Sequence, residues 1–303
     1  MNKDKFIGAL YGVAIGDALG APYEFRRASP KLDYNGILVD QNVYVKLQYS
    51  TIIIRPYTVT DDTEMTLTLL ASILEKGKYD RDDVISRYLE WANAEHTTFM
   101  GRNTRTLMKG VKTIKGFEAR RQKVDMKNAQ SNGSLMRALP LVLLGSWEEG
   151  VITDTNLTND NDINRECSMI FVGILRYIIF DQKLKLSCKE PIIKDALRSA
   201  LKGEILPGVM TKSKGWVVYA LYVAVLTLLT VKNFEDGMDF IYKNFMGGDM
   251  DTIMSISGAL LGALYGYNNM EKETKTSINI AKLSVGFELN DKYNLPKIIA
   301  KYF

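Results

Sequence analysis

Two short acidic motifs carry the residue types most able to do chemistry: Thr60-Asp61-Asp62-Thr63 and Gly247-Gly248-Asp249-Met250-Asp251-Thr252. Each places two carboxylates and a threonine hydroxyl within one turn of an expected helix start, where the macrodipole favours anions. Either motif alone reads as helix capping. Together they hold four carboxylates, which repel one another unless kept far apart or neutralised by cations. Such hard oxygen donors suit magnesium, and two ions about 3.5–4 Å apart with a bridging carboxylate would match the set. His96 is the only histidine. A Ser-His-Asp triad would have to use it, and a His-rich zinc site cannot be assembled.

Other polar groups stand near enough in pattern to join such a centre. In Ser131-Asn132-Gly133-Ser134-Leu135-Met136-Arg137, small residues at a helix start expose backbone N–H groups, a ready anion site to which Arg137 can add a charge-assisted contact. The alternative is an ordinary loop and N-cap. In GDALGAPYEF, Asp17 and Glu24 flank Gly20 and Pro22. Glu24 is expected on a loop just past the first helix, facing the metals or else solvent. Residues 102–127 hold nine basic residues against two acidic ones. That excess reads as a solvated helix and loop, or as a field that attracts a phosphate-bearing ligand.

Helices must position these groups. Residues 4–20 put Phe6, Leu10 and Val13 on one face and Gly8, Gly12, Gly16 and Gly20 on another. Glycine at every fourth position is costly in a helix unless another backbone approaches along that face. Thr60 as N-cap and Gly77 as stop bound the clearest helix, with Met65, Leu69, Leu70, Ile73 and Leu74 as its buried stripe. Further helical patterns fall at about 80–95, 102–114, 134–146, 163–180, 191–202, 215–231, 234–244, 252–266 and 275–284. In the 252–266 helix, Gly258, Ala259, Gly262 and Ala263 allow close packing against a neighbour. The segment 26–57, rich in β-branched and aromatic residues, reads as an irregular or partly extended excursion, and polar 153–166 as the main surface loop. Strand signals are too sparse for a parallel sheet. The expectation is one all-α domain over 1–303.

Bulk properties set limits. A chain of 303 residues with 46% hydrophobic and 24% charged residues is globular, and its +4 net charge is too mild to argue nucleic-acid binding. Cys167 and Cys188 have no metal-ligand spacing and are expected as free thiols. The first residues carry no cleavage signal, and no apolar run is long enough to span a membrane. The expected compartment is the cytoplasm or nucleus, not the exterior.

Taken in order, GALYGVAIGDALGAPYEF, TVTDDTEMTLTLL, SNGSLMRALP, KGWVVYALYVAV and GGDMDTIMSISGALLGALYG resemble the ADP-ribosylglycohydrolase family, which includes dinitrogenase reductase-activating glycohydrolase. T-D-D-T followed by G-G-D-x-D-T is specific as a pair, N-G-S-x-M-R adds to it, and the KGWVV block is weak. The resemblance implies a compact orthogonal helical bundle with a binuclear magnesium site, manganese able to substitute, below an ADP-ribose cleft. It implies metal ligation by Thr60, Asp61 and Asp62 from one side and by Asp249, Asp251 and Thr252 from the other, with Asp251 bridging. Glu24 matches the acidic residue near the scissile bond, and either Glu24 or Asp62 would handle the proton. Asn132, Gly133 and Ser134 match a loop that contacts ribose and phosphate, and Gly101 a glycine lining the cleft. The implied reaction cuts the glycosidic bond between ADP-ribose and an acceptor, a protein side chain or small conjugate, through an oxocarbenium-like transition state that releases ADP-ribose.

Three stretches depart from the family pattern. Thr158-Asn159 stands where many members have Thr-His. Thr97-Thr98-Phe99-Met100 lacks an acid found upstream of the cleft glycine in nitrogenase-type members, and Tyr34 to Val59 lacks a glycine-rich approach. None touches the metal ligands, and all bear on the leaving group. Two other readings share the motifs: a relative that binds ADP-ribose or a nucleotide without turnover, and an all-α prenyl-diphosphate enzyme. The second wants a D-D-x-x-D helix interior, which Asp61-Asp62-Thr63-Glu64-Met65 does not supply.

Overall fold

A computed structural model describes residues 1–24, 43–46, 51–54, 59–94, 100–184, 187–206, 215–272, 275 and 295–303, with 43–46 and 51–54 as backbone only. It is predominantly helical. In chain order the helices are α1 (Lys3–Gly20), α2 (Asp61–Lys76), α3 (Arg81–Asn93), α4 (Arg102–Met108), α5 (Ile114–Arg121), α6 (Trp147–Thr158), α7 (Asp162–Phe180), α8 (Pro191–Leu201), α9 (Val217–Thr230), α10 (Phe234–Phe245), α11 (Met250–Tyr265) and α12 (Leu295–Tyr302). Within the expected excursion, β1 (Val43–Lys46) and β2 (Thr51–Ile54) pair as an antiparallel hairpin, Val43 opposite Ile54 and Lys46 opposite Thr51.

The middle of the fold is α11 against α1, the most extensive helix–helix contact among the described residues. The fourfold-spaced glycines explain it. A Cβ on Gly8 would lie 2.2 Å from the Gly262 carbonyl oxygen, on Gly12 1.9 Å from that of Gly258, on Gly16 2.1 Å from that of Met254, and on Gly20 2.3 Å from that of Met250. No side chain fits at those distances, so glycine is obligatory on this face. The order of the contacts makes the helices antiparallel, which brings the end of α1 beside the start of α11. Both helices are enclosed on almost every side, α1 from Gly8 to Gly20 and α11 from Met250 to Ala263. That is the environment a helix apolar all round requires. Apolar α9, buried from Val217 to Thr227, packs on α11, as do α7, α10 and α2. The buried apolar side chains of these helices form one connected cluster, with Trp91, Tyr88, Tyr222, Phe6 and Phe171 among the largest fully enclosed.

Several expected boundaries shift for identifiable reasons. The 102–114 pattern is two helices: Gly110 takes φ +78° and Thr113 caps α5 by accepting from the Gly116 N–H at 3.1 Å. No α-helix spans 134–146; Asn132–Ser134 and Leu139–Leu143 are short 3₁₀ turns. Pro140 has no N–H for an i−4 bond, and its ring clashes with the carbonyl of the preceding turn. The expected surface loop 153–166 is mostly helical and partly interior. It contains the end of α6 and the start of α7, with Asp154, Thr155, Thr158, Asn159, Asn161 and Asn164 all buried. Hydropathy alone cannot tell a polar side chain with an internal partner from a solvated one. The helix expected over 275–284 falls, but for residue 275, outside the described residues, as do His96 and Thr97 to Phe99.

Candidate active site and metal centre

Three helix ends converge: the C-terminus of α1 and the N-termini of α2 and α11. In α2, Thr60 is the N-cap and Asp61, Asp62 and Thr63 are the first three residues; in α11, Asp249 is the N-cap, followed by Met250, Asp251 and Thr252. Asp62 and Asp251 therefore hold the same position in their two helices. Gly247, at φ +95°, makes the turn into α11 that a side chain would strain. A 3₁₀ turn, Ala21–Tyr23, carries the chain from α1 to Glu24. Oxygens of Glu24, Asp249 and Asp251 all lie within 4.8 Å of one another.

The two acidic motifs are in direct contact. Asp62 Oδ2 accepts from the Thr252 hydroxyl at 3.2 Å and lies 3.4 Å from the Thr60 hydroxyl. Asp62 Oδ1 is buried with no hydrogen-bond partner among the described residues. An orphaned, enclosed carboxylate oxygen costs free energy unless something absent from the protein satisfies it. Asp251 Oδ1 accepts its neighbour's N–H, from Thr252, at 2.8 Å.

Electrostatics lead the same way. Burial, the largest cause throughout, raises the carboxyls of Asp61, Asp62, Asp249, Asp251, Asp17 and Glu24. Glu24 is pushed up to about 8 by desolvation and then by the charges of Asp249, Asp61 and Asp17. Asp249 rises to about 6, held down by hydrogen bonds from Asp251 and Asn132. Asp62 and Asp251 go well above the ordinary range, each pushed further by neighbouring carboxylates. The charge of Arg105 lowers Asp61, after the Gly101 N–H does. Among the described residues, these buried acids and the oxygen left without a partner make the cluster a candidate metal site.

The surrounding chain holds this cluster from outside. Gly101 N–H donates to Asp61 Oδ2 at 2.9 Å. Asn132 Nδ2 donates to Asp249 Oδ2 at 3.0 Å. The Asn132 N–H in turn donates to the Gly215 carbonyl at 2.9 Å, and the Val217 N–H to the Gln130 carbonyl at 3.0 Å, clipping the 131–134 loop to the start of α9. Of the expected ligands, Asp249 and Asp251 join Glu24 in one cluster, Asp62 touches Thr252 and lies near Thr60, and Gly101 and Asn132 bond Asp61 and Asp249. Gly133 is half-buried, its carbonyl accepting from Arg137, and Ser134 is buried with Oγ accepting from Asn164 Nδ2 at 2.9 Å. Arg137 is not the anion contact expected of it. Fully enclosed, it pairs through Nε with Asp154 Oδ2 at 2.8 Å and donates to the Asp154 and Gly133 carbonyls, because a buried guanidinium must spend its donors internally. Of the basic stretch 102–127, Arg120 and Arg121 donate to backbone carbonyls and nearby acids, while Arg102, Arg105, Lys109, Lys112, Lys115, Lys123 and Lys127 are exposed.

Several residues contribute in ways that the motifs do not assign. Asp17, fully enclosed, bonds the first turn of α2. A charge amid the apolar, glycine-spaced residues of α1 was the available signal, since buried charges are almost always partnered. Gly215 matters because a Cβ there would sit 3.1 Å from Asp249 Oδ2. Asn159, where many members have histidine, is buried and directs Nδ2 to the Ala129 carbonyl at 2.6 Å and to Ser131 O and Oγ at 3.2 and 3.1 Å. A neutral amide therefore braces the loop there.

Comparison with known proteins agrees with the geometry. A sequence model of the ADP-ribosylglycohydrolase family matches residues 1–288. The chain is 24% identical over 280 residues to the ADP-ribosyl-[dinitrogen reductase] glycohydrolase of Rhodospirillum rubrum, covering 88% of this chain and 87% of that one. It is 25% identical over 292 residues to the ADP-ribosylarginine hydrolase Tri1 of Pseudomonas putida (strain GB-1), covering 89% and 73%. A solved chain from an ADP-ribosylglycohydrolase-related protein complex superposes with a TM-score of 0.68 at 23% identity over 99% of this chain and 98% of its own, which shows a shared fold. With its acidic helix ends assembled as one centre and its sequence matched almost end to end, the chain belongs to the ADP-ribosylglycohydrolase family, hydrolases of ADP-ribose conjugates.

Proposed function

We propose that this chain is a magnesium-dependent hydrolase that cleaves the glycosidic bond between ADP-ribose and an acceptor, a modified protein side chain or related conjugate, and so reverses ADP-ribosylation. The observation that carries the reading is the convergence of Glu24, Asp249 and Asp251 within 4.8 Å beside Oδ1 of Asp62, unpartnered among the described residues. Thr60, Asp61, Asp62, Asp249, Asp251 and Thr252 are the residues that would hold two divalent ions in this reading. Bound there, the ions supply positive charge that orients the ribose hydroxyls and polarises water.

The chain's own residues divide the remaining work. Asp62 is 1% exposed and its Oδ2 accepts from the Thr252 hydroxyl, so we assign it to ligation. Glu24 is half-buried beside Asp249 and Asp251, and a carboxylate in that place is within reach of a water held by the cluster. We assign it the proton of the attacking water. Gly101 holds Asp61, and Asn132 holds Asp249, so the loops that present them also frame the sugar; Gly133 and Ser134 complete that loop. The free thiols Cys167 and Cys188 fit a reducing, intracellular setting, and no described helix is long and apolar enough to cross a membrane.

The test is a panel of arginine-, serine- and nucleic-acid-linked ADP-ribose conjugates, incubated with the protein with and without magnesium. Release of ADP-ribose from at least one conjugate, abolished by chelator and restored by magnesium, is expected. Unchanged activity in excess chelator would overturn the metal assignment. Binding of ADP-ribose with no release from any conjugate would favour a binding protein instead.

A further inference from the structure

Asp17 sits inside the glycine-spaced part of α1, with no solvent exposure, and points at the first turn of another helix. Its Oδ2 accepts the Thr60 N–H at 2.9 Å, the Thr63 N–H at 3.1 Å and the Thr63 hydroxyl at 2.6 Å, while Oδ1 accepts the Thr60 hydroxyl at 2.8 Å. In a self-contained capping box the N-cap side chain accepts the N3 N–H, and the N3 side chain reaches back to the N-cap N–H. Here Thr60 is the N-cap and Thr63 is N3, yet Thr60 makes no side-chain cap bond. A carboxylate from α1 does both jobs.

That substitution has a consequence for the metal centre. A hydroxyl has one proton and two lone pairs. The Thr60 hydroxyl is 2.8 Å from Asp17 Oδ1 and 3.4 Å from Asp62 Oδ2, so its proton goes to Asp17. Its lone pairs are then not consumed by capping, and the oxygen lies 3.4 Å from Oδ2 of Asp62, the residue whose Oδ1 has no partner among the described residues. We infer that Asp17 is a positioning residue of the metal centre: by capping α2 from outside and holding the Thr60 proton, it presets the Thr60 oxygen as a ligand for a hard divalent cation. The inference rests on the metal assignment proposed above.

The full chain is tested with manganese(II) as the probe, its affinity read by calorimetry in the absence of substrate and thermal stability read in parallel. Asp17→Asn replaces one acceptor oxygen by a donor, so either Thr60 or Thr63 loses its partner and the network must turn over. Manganese affinity is expected to fall on the order of 10- to 100-fold, the usual cost of losing an outer-shell partner. Thr63→Val removes a bond to Asp17 but leaves the Thr60 hydroxyl held; it should lower the melting temperature with manganese affinity unchanged. Thr60→Val should lose affinity as Asp17→Asn does, Thr60→Ser should keep it, and adding Asp17→Asn to Thr60→Val should cost nothing further, because the two act as one unit.

A wild-type protein that binds no manganese would remove the metal assignment itself. Wild-type binding with an Asp17→Asn variant that melts lower but binds as tightly would leave the metal centre standing and overturn the positioning role. Additive losses in the double variant would overturn it too. If Asp17→Asn does not fold, the Thr60 pair still decides: equal affinities for Thr60→Val and Thr60→Ser contradict the inference.

Discussion

Single side chains at the centre differ mainly in what satisfies them. Asp61 has the Gly101 N–H, Asp249 has the Asn132 amide, Asp251 has the Thr252 N–H, and Asp62 keeps one oxygen with no partner among the described residues. Asp251→Ala should therefore abolish divalent-dependent turnover, checked by ADP-ribose release across a magnesium titration. Glu24→Gln keeps the shape of the half-buried side chain but removes its ability to take a proton. The expected result is a kcat lowered by on the order of 100-fold or more with ADP-ribose affinity nearly unchanged, since that is the range general acid–base groups supply. Equal loss of rate and affinity would assign Glu24 to binding only. The motifs carry the acidic residues themselves. Which donor each carboxylate meets is not legible in them, because that depends on distant parts of the chain.

At the scale of elements, the site is precise because α1 and α11 are locked at backbone contact. The glycine spacing of α1 and the small residues of α11 each predicted a close neighbour; that each is the other's neighbour is a matter of packing. Gly258→Val would drive a side chain into the Gly12 carbonyl, from which a Cβ is already only 2.1 Å. Overpacking of this kind costs on the order of 3 kcal/mol, so the melting temperature and manganese affinity should fall together. The 131–134 loop depends on a different device. Asn164 Nδ2 donates to Ser131 O at 2.7 Å and to Ser134 Oγ at 2.9 Å, and Asn159 holds the loop's other flank. Asn164→Ala should raise KM for the conjugate by more than it weakens metal affinity, because it loosens the Ser131 and Ser134 side of the loop while Asn132 stays clipped to Gly215. The polar run 153–166 looked like a surface loop for the same reason it is useful: its side chains hydrogen-bond, but to this loop and to Arg137 instead of to water.

For the whole molecule, burying these acids links folding to pH and to metal. Glu24 rises from its ordinary 4.5 to about 8, and Asp17 and Asp249 from 3.8 to about 6. A carboxyl raised in the folded state favours folding below its unfolded value, and that contribution is lost as pH climbs through the folded value. The metal-free protein should therefore melt at progressively lower temperature between pH 5 and pH 8, the contributions of Asp17 and Asp249 ending near pH 6, that of Glu24 continuing toward pH 8, and Asp62 and Asp251, raised well above the ordinary range, adding to the loss. Magnesium should restore stability more at pH 8 than at pH 5, where protons compete for the same oxygens; a pH-independent melt in chelator would contradict this linkage. The helical class, the two acidic helix starts and the family are legible in one dimension, because capping residues, glycine spacing and short motifs are local. Helix packing alone makes Asp17 cap α2, turns Arg137 inward to Asp154, sets Asn159 and Asn164 to brace the 131–134 loop and leaves Asp62 with one oxygen unpartnered among the described residues. Each of those is a hydrogen-bond partnership across tens of residues, and hydropathy and spacing record only that a group is polar, not which donor or acceptor the fold brings to it.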